Sequence, residues 1–313
     1  MISIPTTMEL VESVKKRGFI PTDQVTLTED DIIEHINDEL EDSLIAHIIS
    51  YQEEYFSFSQ DIPLVNSVNR YAIPYRAIGQ KLRDIKYRDT NSNLYEMVRI
   101  EPENRHYFQN GASGSYSAFY LEGNLICLMP ETVGAVTGSL ALLYYLKPNK
   151  LVKENRVGII TNIDRNTGVI TLNSLPTQMI PNQEIDMIQG SAGYRMLNFD
   201  VNVISTDTVS KTITVDVNSI PSSLVIGDHI ATAGECMIPQ IPNEMVSMLL
   251  DLATAKCLAA LNDDEGLAKV EKRISAAEKK SAMLIDNRTE GNPKKIANHN
   301  SILRSGRSFR RRF

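Results

Sequence analysis

A four-residue phrase occurs twice in the middle of this chain, and its return limits what the middle can fold into. Asn173-Ser174-Leu175-Pro176 comes back as Asn218-Ser219-Ile220-Pro221, 45 residues later. At the same offset Met179 and Leu224, Ile180 and Val225, and Ile185 and Ile230 pair apolar with apolar. In the preceding strand Ile170 matches Val215 and Leu172 matches Val217. Each copy reads as a β-hairpin, turning near Arg165–Gly168 or Val209–Lys211, then a turn and another strand. One such unit cannot bury its apolar face alone. The two are expected to pack face to face as a single small β-domain within 157–236.

On either side the period changes. Leu27-Thr28-Glu29-Asp30-Asp31-Ile32 has the form of a helix start, with Thr28 as cap, Asp31 at the third position and Leu27 placed to staple onto Ile32. Ile32, Ile33, Ile36, Leu40, Leu44, Ile45, Ile48 and Ile49 then recur at helical spacing, which predicts one long helix to about Tyr55. Its first turns are acidic, as the helix dipole favours. From Asp61 to Pro148 short β-branched or aromatic runs predict a small sandwich or barrel, with Glu122-Gly123-Asn124 as a hairpin turn. Helical spacing returns at Asn243, read as a cap, with Met245, Met248, Leu249, Leu252 and Ala255 on one face. A further helix follows from Asn262, where Leu267, Val270, Ile274, Ala277, Ser281 and Leu284 alternate threes and fours, the seam of a helix packed lengthwise on a neighbour.

The expected fold class is therefore α+β. A helical core, built from the long N-terminal helix and a C-terminal helical hairpin, carries β-sandwich or barrel insertions and an extended C-terminal tail. The boundaries are 1–60 for an N-terminal arm and the long helix, 61–152 for a β-rich domain and 153–236 for the inserted duplicated β-domain. Residues 237–287 form the helical hairpin and 288–313 a basic tail. As an insertion with its own core, the duplicated domain is expected to be removable.

Charge divides the chain at the same place. The whole sequence is −7, yet Arg288–Phe313 holds eight basic residues and one acid, Glu290, for +7, leaving −14 on residues 1–287. An acidic body with a basic tail grips something anionic or lays the tail on a partner. The basic residues are Arg288, Lys294, Lys295, Arg304, Arg307, Arg310, Arg311 and Arg312, and Ile296, Ile302, Leu303 and Phe309 interrupt them. Purely solvating tails rarely carry such apolar anchors, so this segment reads as a docking tail.

Chemistry is harder to find. The sequence has no HExxH, P-loop, GxGxxG after a strand, or GxSxG. Gly111–Ser115 reads as a turn, and Gly134–Gly138 lacks the lysine of a phosphate cradle. His35 and His47 lie twelve residues apart, 120° out of helical register, a poor shared metal site, and His106, His229 and His299 are solitary. The acids of 29–31 and 263–265 sit at helix starts, where capping accounts for them. Cys127, Cys236 and Cys257 are odd in number and far apart, which argues against a disulfide framework or zinc site and suits a reducing compartment. The first residues lack a charged and an apolar leader region, and no run approaches the roughly 18 apolar residues of a membrane span. The expectation is a non-enzyme without cofactor or metal, not associated with a membrane and made in the cytoplasm. Nucleic-acid binding through the Arg-rich tail is the alternative.

Three segments, in this order, resemble the head-to-tail adaptor, or connector, proteins of short-tailed bacteriophages. The first runs from the helix 27–55 through Tyr55-Phe56-Ser57-Phe58 to Tyr71-Ala72-Ile73-Pro74-Tyr75-Arg76 and Asp84. The second runs from Phe119-Tyr120-Leu121 to Tyr144-Tyr145-Leu146-Lys147-Pro148 and Val152. The third is the C-terminal helical pair running into Asn287–Ile296. The resemblance covers about half the chain and leaves out the duplicated region. It implies a homo-oligomeric ring of twelve subunits at the neck of the virion, docked beneath the portal protein and continuing the channel for packaged double-stranded DNA towards further neck or tail proteins. It also implies that helices build the ring, with Ile36, Leu40, Leu44, Leu249, Leu252 and Ile274 as its core positions, and that the C-terminal segment reaches onto the portal.

Overall fold

The computed structural model describes residues 5–21, 26–52, 54–108, 116–131, 137–190 and 195–285. The docking tail, 288–313, lies outside the described residues, as do Gly111–Ser115 and residues 134–136.

The expected helical core is not what folds. Among the described residues, sixteen strands lie in four sheets, six of them closed into a barrel, beside five helices. The helices are α1 (Thr7–Gly18), α2 (Glu29–Glu39), α3 (Ile45–Tyr51), α4 (Asn243–Ala260) and α5 (Asp264–Ile285). In place of one long N-terminal helix there are α1, which the Pro/Thr-rich start concealed, and an α2–α3 rod interrupted by a π-turn at Leu40–Leu44. The spacing explains the interruption. Ile36, Leu40, Leu44 and Ile48 are each four apart, and every such step slips about 40° around an α-helix. The wider π-turn, with the Ile45 N–H bonded to the Leu40 carbonyl, absorbs that slip. All four side chains stay at most 1% exposed.

Local chemistry starts these helices. The Thr28 N–H donates to the Asp31 carboxylate while the Asp31 N–H donates to Thr28 Oγ1. At α1 the Thr6 N–H donates to Glu9 in the same way. Helix α4, by contrast, begins on Pro242 with no side-chain cap, so Asn243 is its first residue. Leu10, Ile32, Ile36, Leu44, Met245 and Leu249 close one apolar core between α1, α2–α3 and α4. At about 1.5–3 kcal/mol for each fully buried Leu or Ile, this core dominates the stability of the helical layer.

The strands of the first β region are β1 (Ser57–Pro63), β2 (Arg70–Ala72), β3 (Ala77–Arg88), β4 (Leu94–Glu96), β5 (Val98–Arg99), β6 (Ala118–Glu122), β7 (Leu125–Met129) and β8 (Ser139–Leu146). They form two sheets, β1-β8-β3-β4 and β2-β7-β6-β5, around a shared core that includes Ile85, Tyr87, Ile126, Leu128, Leu142 and Tyr144. Gly123, at φ +57°, supplies the left-handed residue in the tight β6–β7 turn. Short β9 (Lys150–Leu151) then leads into the barrel.

The barrel strands are β10 (Val157–Asp164), β11 (Val169–Leu172), β12 (Glu184–Ile188), β13 (Met196–Asp207), β14 (Thr212–Val215) and β15 (His229–Thr232). Their order around the barrel is β10-β11-β14-β13-β12-β15. Exchanging β10 with β13, β11 with β14 and β12 with β15 leaves that order unchanged. The repeat therefore closes as an interlocked barrel in which the third strand of each copy pairs with the first strand of the other. This differs from two units stacked face to face. The offset differs too: Ile160 and Val203, Ile170 and Ile213, and Leu172 and Val215 are equivalent buried positions, 43 residues apart. Asp216 and Val217 are extra in the second copy, and Val217 opens a short 3-10 turn with its side chain 44% exposed. Beyond them the 45-residue offset holds, with Met179 and Leu224 both buried. Returning from the barrel, β16 (Glu235–Cys236) lies parallel to β9, so the strands entering and leaving it run side by side.

Candidate functional site

The most concentrated polar chemistry among the described residues lies where the sandwich meets the barrel. Arg76 sits in the turn between β2 and β3, 5% exposed, with its carbonyl held by the Lys147 N–H. Its guanidinium makes a two-pronged bond to Asp186 on β12, Nη1 to Oδ2 at 2.8 Å and Nη2 to Oδ1 at 3.0 Å. Nη2 also donates to Asp200 Oδ1 on β13 at 2.6 Å, and Nε donates to the Tyr75 hydroxyl at 3.1 Å. The Phe199 ring lies 5.2 Å from the guanidinium carbon.

Asp186 is fully buried and accepts three further bonds, from Asn149 Nδ2, the Gly234 N–H and the Asp200 N–H. Asn149 extends the network towards the helices. Its N–H donates to Gln240 Oε1 and its Nδ2 also to the Glu235 carbonyl. Burial pulls the Arg76 pKa down, but the hydrogen bonds and charge of Asp186, helped by Tyr75 and Asp200, hold it above its ordinary value. The guanidinium is permanently charged and fully engaged. Such an array fixes three bodies relative to one another: the sandwich through Arg76, the barrel through Asp186 and Asp200, and the return to α4 through Asn149 and Gln240. A cleft of about 430 Å³ opens beside it, lined in part by Tyr55, Phe56, Phe58, Met196 and Gln240.

This junction changes the standing of the barrel as a removable insertion. Excising it would strip Arg76 of both its carboxylates and uncover the sandwich core against which Met196 and Phe199 pack.

The positions expected to form a ring core pack inside the subunit. Ile36, Leu40, Leu44 and Leu249 are at most 1% exposed in its own core, and Leu252 packs against that core. Ile274 is half-buried on α5. The first four side chains are spent on the subunit itself and are not presented to a neighbour.

His35 and His47 share no ligand cluster, and no group of three or more metal-binding side chains occurs among the described residues. His229 is 7% exposed, and burial lowers its pKa despite neighbouring Asp228. The three cysteines are free and buried, with the Cys236 thiol pushed up to about 12 by desolvation. Among the described residues no helix is long and apolar enough to cross a membrane.

Arg76, Asn149, Asp186 and Asp200 were not apparent as a group in the sequence. Their one signal is Asp186, a carboxylate flanked by apolar residues in Ile185-Asp186-Met187-Ile188. A buried charge in such a run requires a partner, but nothing local identifies Arg76, 110 residues away. No protein-family model matches this chain, and the comparison with curated proteins found no match.

Proposed function

We propose that this protein is a structural component of a tailed-phage neck, a homo-oligomeric adaptor that docks on the portal through residues 288–313 and extends the DNA channel towards the tail. The observation that carries the reading is the Arg76 junction. A coupler between head and tail must hold its modules at fixed angles under load, and a buried, doubly bridged guanidinium does that. The stretch 71–84 that bears Arg76 is also among the segments that resemble adaptors. The tail complements the rigid body, since basic residues provide charge-assisted bonds while Ile302, Leu303 and Phe309 fill pockets. Repetition around a ring turns modest contacts into a durable joint.

The Arg-rich tail also favours a second reading, nucleic-acid binding, and one experiment separates the two. The full chain and a chain ending at Asn287 are titrated against purified portal and against duplex DNA over a range of salt. The adaptor reading expects tail-dependent portal binding. Tail-dependent DNA binding that falls steeply with salt, with no portal binding, would replace it.

A further inference from the structure

The geometry points to a specific contact between copies: the β4 edge of one subunit adds to the β1 edge of the next, continuing one antiparallel sheet around the ring. This inference rests on the ring reading above and specifies its interface. Among the described residues both outer strands of the sheet β1-β8-β3-β4 are edges, at its opposite sides. Every neighbouring pair in the sheet is antiparallel. Strand β4 of one copy therefore meets β1 of a second copy, placed by rotation, in antiparallel sense. A contact between two different surfaces of identical subunits closes into a ring when the rotation closes.

The backbone groups on the two edges match. The Leu64 N–H bonds to Gly138 and the Phe56 carbonyl accepts from Leu146, so even-numbered residues of β1 face β8. Ser59 and Asp61 then turn their N–H and C=O groups outward. Pro63 falls on the same outward side, where its missing N–H breaks no bond and ends the available stretch. On β4 the Asp89 N–H bonds to the Asn93 carbonyl, which places the groups of Leu94 and Glu96 outward. Two residues face two residues. The register that uses all of them sets Ser59 opposite Glu96 and Asp61 opposite Leu94.

Charge and apolar surface support this register. Arg83 donates to Ser57 Oγ, so its cation lies on the face that would receive Glu96 beside Ser59. Asp61 would lie beside Leu94, whose partner on β3 is Arg88, the cation that pairs with Asp61 within one subunit. Leu94 and Tyr95, on the two faces of β4, are each just over half exposed, apolar surface on an edge that an isolated protein would normally protect.

A cysteine pair tests the contact. Ser59 and Glu96 are both exposed, so Ser59→Cys/Glu96→Cys should fold, and the three native thiols are buried. Opposed residues of a hydrogen-bonded antiparallel pair have Cα atoms about 5.5 Å apart, within disulfide reach. Oxidation of the full-length double variant, run without reductant, should give a ladder extending past dimer. The control Ser59→Cys/Val209→Cys, with Val209 at 91% exposure on a barrel turn, should not. Native mass spectrometry of the unsubstituted chain, alone and with portal, reads ring formation independently. Rings without a ladder above control would overturn the shared sheet and leave the ring reading standing. Monomers in both settings would overturn both.

Discussion

Replacing Arg76 by methionine keeps an unbranched apolar stem but shortens the side chain and removes its charge and all its donors. The two bonds to Asp186 and the bond to Asp200 disappear. Asp186 remains fully buried with three donors, from Asn149, Gly234 and Asp200, and no cation. Breaking a buried ion pair from one side costs about 3–5 kcal/mol, and the three surviving donors place this case near 3 kcal/mol. For a chain of this size that corresponds to a fall in melting temperature of roughly 6 °C. The diagnostic step is a second change. Asp186→Asn removes the stranded charge, so the double variant should recover about 1–2 kcal/mol relative to Arg76→Met alone. Calorimetry on the four proteins of the cycle measures both quantities. A melting temperature unchanged by Arg76→Met, or losses that simply add in the double variant, would refute the junction as an energetic lock.

Other consequences are equally direct. His229 is buried with its pKa below 6.5, so the unfolded chain takes up a proton before the folded one does. Its contribution is complete above pH 6.5 and is lost as pH falls towards the folded value, and urea midpoints should drop less between pH 7.5 and 5.5 in His229→Gln than in the wild type. Gly168 has φ +75°, and a Cβ there would lie 2.2 Å from the Val215 carbonyl oxygen. Gly123 is also left-handed but has nothing within 4 Å, so thermal melts should show Gly168→Ala clearly more damaging than Gly123→Ala, whose cost is about 1 kcal/mol. Deleting the barrel, residues 157–232, should leave a sandwich that unfolds more readily than the intact protein, seen as faster proteolysis. A shortened chain as resistant as the parent would show that the sandwich does not depend on its junction with the barrel.

Local features were the most legible from the sequence. The capping pair Thr28 and Asp31, the tight turn at Gly123 and the recurrence of the Asn-Ser-x-Pro phrase all depend on residues close together in the chain, and each has a structural counterpart. The recurrence misled where two extra residues, Asp216 and Val217, shifted the strands by two positions. It also said nothing of which strand pairs with which, because closing a barrel is a long-range event. Helix α1 escaped because Leu10, Val11 and Val14 are too few to set a period over twelve residues. The long-helix expectation failed at Leu40–Leu44, where fourfold spacing demands a π-turn. The junction was hidden for a simpler reason. Its partners come from positions 76, 149, 186 and 200, and only folding brings them together.

The central claim is that a rigid ring of this chain joins the portal through residues 288–313. Its most direct test is negative-stain imaging of the purified protein mixed with its candidate portal, using the full chain and the chain ending at Asn287. The account predicts portals capped by a ring with the full chain and bare portals with the shortened one. Bare portals with both proteins, while the full chain retains duplex DNA, would contradict it.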